Sequence, residues 1–154
     1  MRSAWWSSIV IFLVHGLAVS TWISRIPTVQ IDLGLSNSVL GLTLLGAAAG
    51  SVVAIPICGR LIDRYTSKSV TLWSTLGLCV SLVPLSFAYD ALSLTALLFV
   101  AGAHAGSMDV AMNAQGVEVE KAMGVSIMSR LHAMYSVGAM TGAALGGVVA
   151  GHSI

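Results

Sequence analysis

Charge is what this chain has least of. Only 8% of its 154 residues are charged, whereas a soluble domain carries about a quarter. So little polar surface cannot coat a water-soluble globule. The net charge is +1, with no basic or acidic block, which excludes a nucleic-acid-binding surface and an acidic disordered tail. Cysteine is nearly absent too. Cys58 and Cys79 lie in or beside apolar runs without metal-type spacing, and both are expected to be small buried side chains. The few charged residues form no nucleophile and base set and no metal-binding spacing, so neither an enzyme nor a bound cofactor or metal is expected.

What is abundant is apolar sequence, 56% of the residues. It falls into five long runs: Ala4 to Ile23, Leu33 to Gly59, Ser69 to Tyr89, Ala91 to Met108 and Leu131 to Ile154. A hydrocarbon core ~30 Å thick needs about 20 helical residues at a rise of 1.5 Å, and each run meets or approaches that length. Lipid offers the backbone no hydrogen bonds, and continuous runs do not alternate as barrel strands do, so the expected fold class is an all-α integral membrane protein. The five transmembrane helices are expected at about 4–25, 37–58, 69–89, 92–117 and 131–152.

Orientation follows from the cations. With a cytoplasmic N-terminus, Arg2, Arg60, Arg64, Lys68, Lys121 and Arg130 all fall inside and Arg25 alone falls outside. Trp5 and Trp6 mark the inner end of the first helix and Trp22 its outer end, ~24 Å away, as an aromatic belt requires. A cleaved signal peptide is the competing assignment for this run, with small Ala18 and Ser20 at a cleavage spacing. The run is longer than a usual signal core, and the charge pattern fits a retained helix. Pro27 is expected to end the helix, and Ser36 or Asn37 to cap the next one.

Small residues recur every fourth position: Gly46, Gly50 and Ala54; Gly102 and Gly106; Gly138, Gly142 and Gly146. Such stripes let helix backbones approach closely, and they predict a compact bundle of the chain's own helices.

Between the second and third runs stands Gly59-Arg-Leu-Ile-Asp63-Arg64-Tyr-Thr-Ser-Lys68, expected to be a tight charged turn at the cytoplasmic surface. The order resembles the signature of the major facilitator superfamily, Gly-x-Leu-x-Asp-Arg-x-Gly-Arg-Lys, at the same place between helices two and three. Gly59, Leu61, Asp63, Arg64 and Lys68 match it, and Thr66 and Ser67 depart from its second glycine and following arginine. The resemblance implies the first six-helix bundle of a twelve-helix transporter, and a latch on the cytoplasmic side formed by Gly59, Asp63, Arg64 and Lys68. A carboxylate at that surface gains from helix N-termini and charge-assisted bonds that exist in one conformation and break in another.

The fourth run continues into Asp109-Val-Ala-Met-Asn113, an acid and an amide one helical turn apart. If the helix reaches Glu118, the carboxylate lies ~13 Å inside it, where an acid costs roughly 2.5 to 3.5 kcal/mol on insertion scales. Three assignments compete: a proton or solute site, polar glue between helices, and an interfacial residue if the helix ends near Met108. Desolvation would raise the pKa of such a carboxyl, which suits cycles of proton binding and release. The cluster resembles the acid-x-x-x-Asn pattern in helix four of the fucose permease branch and of the YbjJ-type branch of the superfamily. Trp22-x-Ser24-Arg25-Ile-Pro27 and Met128-Ser-Arg130-Leu-His132-Ala133 add to the second resemblance. The fucose permease branch carries a second acid in helix one, where alignment on Ile26-Pro27 puts Ile23. His132 is a candidate proton group at the start of the fifth helix, with packing as its competing role, and His15, His104 and His152 have weaker claims. Gly138 to Gly147 is close to an antiporter element of the superfamily, with Ala143 in place of its proline.

Together these features imply a fragment of a secondary transporter of a small, sugar-like solute, coupled to protons and working by alternating access. Its partners would be the solute, protons, the lipid bilayer and a C-terminal half absent from the chain, with no nucleic acid. Asp109, Asn113 and His132 would form the proton and substrate site, in a multi-pass protein of the cell (inner) membrane. A small membrane scaffold or assembly factor is the alternative.

Overall fold

The computed structural model describes residues 2–152. Met1, Ser153 and Ile154 lie outside the described residues, as do the side chains of Arg2, used in the charge count, and His152. Six α-helices follow one another: α1 (Arg2–Ile23), α2 (Ile26–Asp32), α3 (Asn37–Arg64), α4 (Ser67–Leu82), α5 (Ala91–Met123) and α6 (Met128–His152). A single 3-10 turn, Pro84–Phe87, follows α4. Five of these stretches are long and apolar enough to cross a bilayer, in agreement with the five apolar runs.

The ends depart from expectation where proline acts. The first helix breaks at Ser24 and Arg25, and Pro27 sits in the first turn of α2, where its missing N–H is no loss. Pro27 therefore begins a short helix instead of ending a long one. Pro84 acts similarly: α4 stops at Leu82 and a 3-10 turn finishes the span. Between α2 and α3 the chain turns at Gly34, whose φ of 61° lies in the left-handed region that only glycine enters freely. Ser36 is the cap of α3, accepting from the Val39 N–H at 3.3 Å.

Two helix pairs dominate the packing, α3 with α5 and α1 with α6, and α4 lies against α5. The predicted small-residue stripes form both pairs. A Cβ on Gly50 would land on the Phe99 carbonyl, and one on Gly138 on the Leu13 carbonyl. The core joins Phe12, Leu78, Met108, Met112 and Leu131 across α1, α4, α5 and α6. Outward faces are largely apolar, with Leu76, Val80 and Met140 among the most exposed side chains. That is the arrangement lipid requires and water forbids.

Cys58 is buried, its thiol donating to the Ser107 carbonyl at 3.2 Å. Cys79 is exposed on α4, contrary to expectation. In a membrane span the outward face is as apolar as the inward one, so an apolar neighbourhood in sequence does not imply burial.

Candidate functional site

Asp109 stands near the middle of α5, which continues to Met123. The assignment that placed it at a helix end near Met108 is thereby excluded. The carboxylate is exposed on an open face of the bundle. The i, i+4 spacing brings Asn113 to it: the Asn113 amide donates to the Asp109 carbonyl at 2.8 Å and to Asp109 Oδ1 at 3.2 Å. Tethered this way, the carboxylate keeps its second oxygen for another partner.

His132, on the first turns of α6, is exposed and packs edge-on against Phe12, ring centres 5.3 Å apart. Among the described residues no hydrogen bond joins its ring to Asp109 or Asn113, so only two of the three expected site residues are brought into contact. His15, given a weaker claim by sequence, is 5% exposed and packs edge-on against Tyr135 at 5.5 Å. Its signal was there to be read: a histidine inside an apolar span is costly unless it is used.

At the junction of α3 and α4 the segment from Gly59 to Lys68 is mostly helix. The α3 helix runs through Arg64 and α4 starts at Ser67, leaving Tyr65 and Thr66 as the turn where a ten-residue loop was expected. Charged residues at a membrane surface are as compatible with a helix end as with a loop. Asp63, Arg64 and Lys68 are exposed, and a Cβ on Gly59 would meet nothing. The Arg64 guanidinium lies 5.5 Å from the centre of the Tyr65 ring, which stands edge-on to Trp73.

Both departures from the superfamily signature have structural work. Thr66 caps α4, its hydroxyl accepting from the Ser69 N–H at 3.1 Å. Ser67 is buried, its hydroxyl 2.9 Å from Gln115 Oε1 and 3.1 Å from Glu118 Oε2 on α5. The family's arginine at this place is replaced by a neutral tie to the neighbouring helix.

Two open clefts flank α1. One of about 410 Å³ lies near the junction of α1 and α2 among Trp22, Arg25, Asp32 and Ser86. The other, about 620 Å³, lies toward the N-terminal end of α1 among Trp6, Phe12, Lys68 and Gln115. Neither includes Asp109 or Asn113, and Asp109 is exposed on a face of the bundle. Among the described residues no three His, Cys, Asp or Glu side chains are placed to hold a metal ion.

Five lipid-length helices, packed closely at glycines and largely apolar on their outward faces, define a multi-pass helical membrane protein. Residues 8–154 match the Major Facilitator Superfamily, and the chain belongs to that family. It is 40% identical to an uncharacterised transporter of Sinorhizobium fredii over 90% of this chain and 37% of the relative. It is 38% identical to an uncharacterised MFS-type transporter of Yersinia pestis, over 90% of this chain and 36% of that protein. The membrane protein MosC of Rhizobium meliloti is 29% identical over 93% of this chain and 35% of its own length. The chain thus spans little more than a third of the length of these relatives. No solved structure matches it.

Proposed function

We propose that this chain supplies five helices of the first six-helix bundle of a secondary transporter that moves a small, sugar-like solute by alternating access, coupled to protons. The observation that carries the proposal is the Asp109–Asn113 pair, a carboxylate and an amide held together near mid-helix on an open face of the bundle. An ionisable side chain at that depth is retained against a substantial insertion cost when it faces a cavity or a partner. In this assignment the face is closed by a second transporter half, supplied by polypeptide the chain does not contain. The relatives' greater length supports that partnership.

Asp109 would take up and release the coupling proton, Asn113 would orient it, and His132 would serve the cytoplasmic mouth of the same path. Gly59, Asp63, Arg64 and Lys68 would form the cytoplasmic latch, with the N-terminus on the same side of the cell (inner) membrane. The exposure of Asp63 at the end of α3 suits a group whose partners lie on another body.

The test uses a transporter made by joining this chain to the remaining two-thirds of the Sinorhizobium fredii relative, screened against a panel of sugars and polyols. Proton-driven accumulation should be lost in Asp109→Asn while solute exchange persists, because the amide keeps the shape but cannot cycle a proton. Accumulation against a gradient with unchanged pH dependence would refute the assignment of Asp109.

A further inference from the structure

The outward side of α4 ends in a cluster of two aromatic rings and a cation. Trp73, Leu76 and Val80 lie at positions i, i+3 and i+7 of α4 and are 51%, 65% and 69% exposed, so one apolar stripe runs along the outside of the helix. Tyr65, in the turn from α3, stands edge-on to Trp73 with ring centres 5.1 Å apart. Over the Tyr65 ring lies the Arg64 guanidinium, 5.5 Å from its centre. Arg64 is exposed, and among the described residues no carboxylate pairs with it. Arg60, one turn earlier on α3, and Lys68, in the first turn of α4, are exposed as well. Against these three cations stand two acids, Asp63 on α3 and Glu118, which reaches Ser67 from α5. The junction is left with an excess of positive charge.

From the stripe to the cation the chemistry changes in the order of a phospholipid. Leu76 and Val80 match acyl chains, and indole and phenol rings settle at the level of the headgroups because each has an apolar body and a polar tip. A guanidinium binds phosphate through paired N–H donors. Resting flat on a ring leaves the edge N–H groups free, so the Tyr65 contact holds Arg64 in place without consuming its donors. Trp73 lies six residues after Ser67, ~9 Å along α4, and Arg64 lies beyond the start of that helix, so cation and stripe are separated as a phosphate is from the chains below it. We propose that Arg64, Tyr65 and Trp73 form a binding site for the phosphate headgroup of an anionic phospholipid whose acyl chain lies along Leu76 and Val80. The positive excess favours an anionic lipid over a zwitterionic one. The site requires only that the chain sit in a bilayer, so it is independent of the solute and of proton coupling.

The test uses the 154-residue chain with Trp5, Trp6 and Trp22 changed to Phe, leaving Trp73 as the one indole, in bilayers of phosphatidylcholine with a minority of phosphatidylglycerol. Bromine atoms on the upper acyl chains of one lipid or the other quench an indole they touch. Brominated phosphatidylglycerol should quench Trp73 as though enriched at least about fivefold over its share of the bilayer, the preference one surface cation supplies. Arg64→Gln should lower that enrichment about fivefold, and Tyr65→Leu, which keeps the charge but not the ring, should also reduce it. Quenching in brominated phosphatidylcholine alone should be the same in all three proteins, which verifies that Trp73 keeps its depth. Inorganic phosphate, compared with chloride at equal ionic strength, should leave the enrichment in place. Equal quenching by the two lipids before mutation of Arg64, enrichment undiminished in Arg64→Gln or in Tyr65→Leu, or displacement by free phosphate would each overturn the lipid site.

Discussion

The carboxylate of Glu120, in the last turn of α5, accepts the backbone N–H of Ile127 at 2.7 Å, just before α6 begins. It also accepts from the Met128 N–H at 3.0 Å and the Ser126 hydroxyl at 3.3 Å. The N–H groups at the start of a helix have no intrahelical partner, so an acid borrowed from the preceding helix both satisfies them and complements the helix dipole. Between the two helices, Gly124 turns the chain at a φ of 66°.

Glu120→Ala should therefore loosen the beginning of α6 without removing the helix. Amide hydrogen exchange at 126–130 should accelerate, while exchange in the middle of α6, where Gly138 packs against α1, stays slow. Glu120→Gln should fall between, because an amide oxygen still accepts but carries no charge.

Asp90 caps α5 in a reciprocal box with Ser93: its carboxylate accepts the Ser93 N–H at 2.7 Å, and the Ser93 hydroxyl lies 3.1 Å from the Asp90 N–H. The backbone bond from Ser93, followed by the contact with its hydroxyl, holds the Asp90 carboxyl below the usual aspartate range. The cap's contribution is consequently complete above the unfolded pKa of about 3.9 and disappears as pH falls through the lower folded value. Asp90→Ala should accelerate exchange at the first turn of α5 at neutral pH. The difference from wild type should vanish in acid below the folded pKa.

Glycine substitutions should divide sharply by position. Gly50→Val puts side-chain atoms onto the Phe99 carbonyl and should separate α3 from α5, measured as a large fall in thermal midpoint in detergent. Gly59→Ala meets open space in a helix, and replacing a helical glycine there should leave stability unchanged or raise it by roughly 0.5–1 kcal/mol. A fall in midpoint for Gly59→Ala comparable with that for Gly50→Val would contradict the packing described.

Orientation is open to chemical labelling. In a chain with Cys58→Ala and Cys79→Ala, single cysteines at Ile31, which is 79% exposed on α2, and at Val125, in the turn before α6, should react from opposite sides of the membrane. Val125→Cys should label from the cytoplasm. Labelling of both from one side would rule out the five-span topology.

The spans were legible in the sequence because lipid demands long uninterrupted apolar runs, and close helix packing because glycine every fourth residue lets backbones approach, while which helices pair was not. The pairing of Asp109 with Asn113 followed from helical spacing alone. Side-chain direction was much less legible: where lipid and protein interior are equally apolar, hydrophobicity cannot distinguish exposed Cys79 from buried Cys58. Helix ends were blurred for a related reason. Asp63 and Arg64 interrupt the hydrophobic run but not the hydrogen-bonded spiral, so α3 outlasts its apolar stretch. Ser67 was visible only as a mismatch to a signature. Its contact with Gln115 and Glu118 joins residues about fifty positions apart, which no local pattern reports.

The unequal packing of the helices has a mechanical consequence. The α1–α6 pair and the α3–α5 pair, with α4 attached to the second, are two stiff planks whose backbones nearly touch internally, while α1 and α5 meet over a far smaller area. Force applied to such an assembly is taken up as sliding along that thin joint before either plank bends.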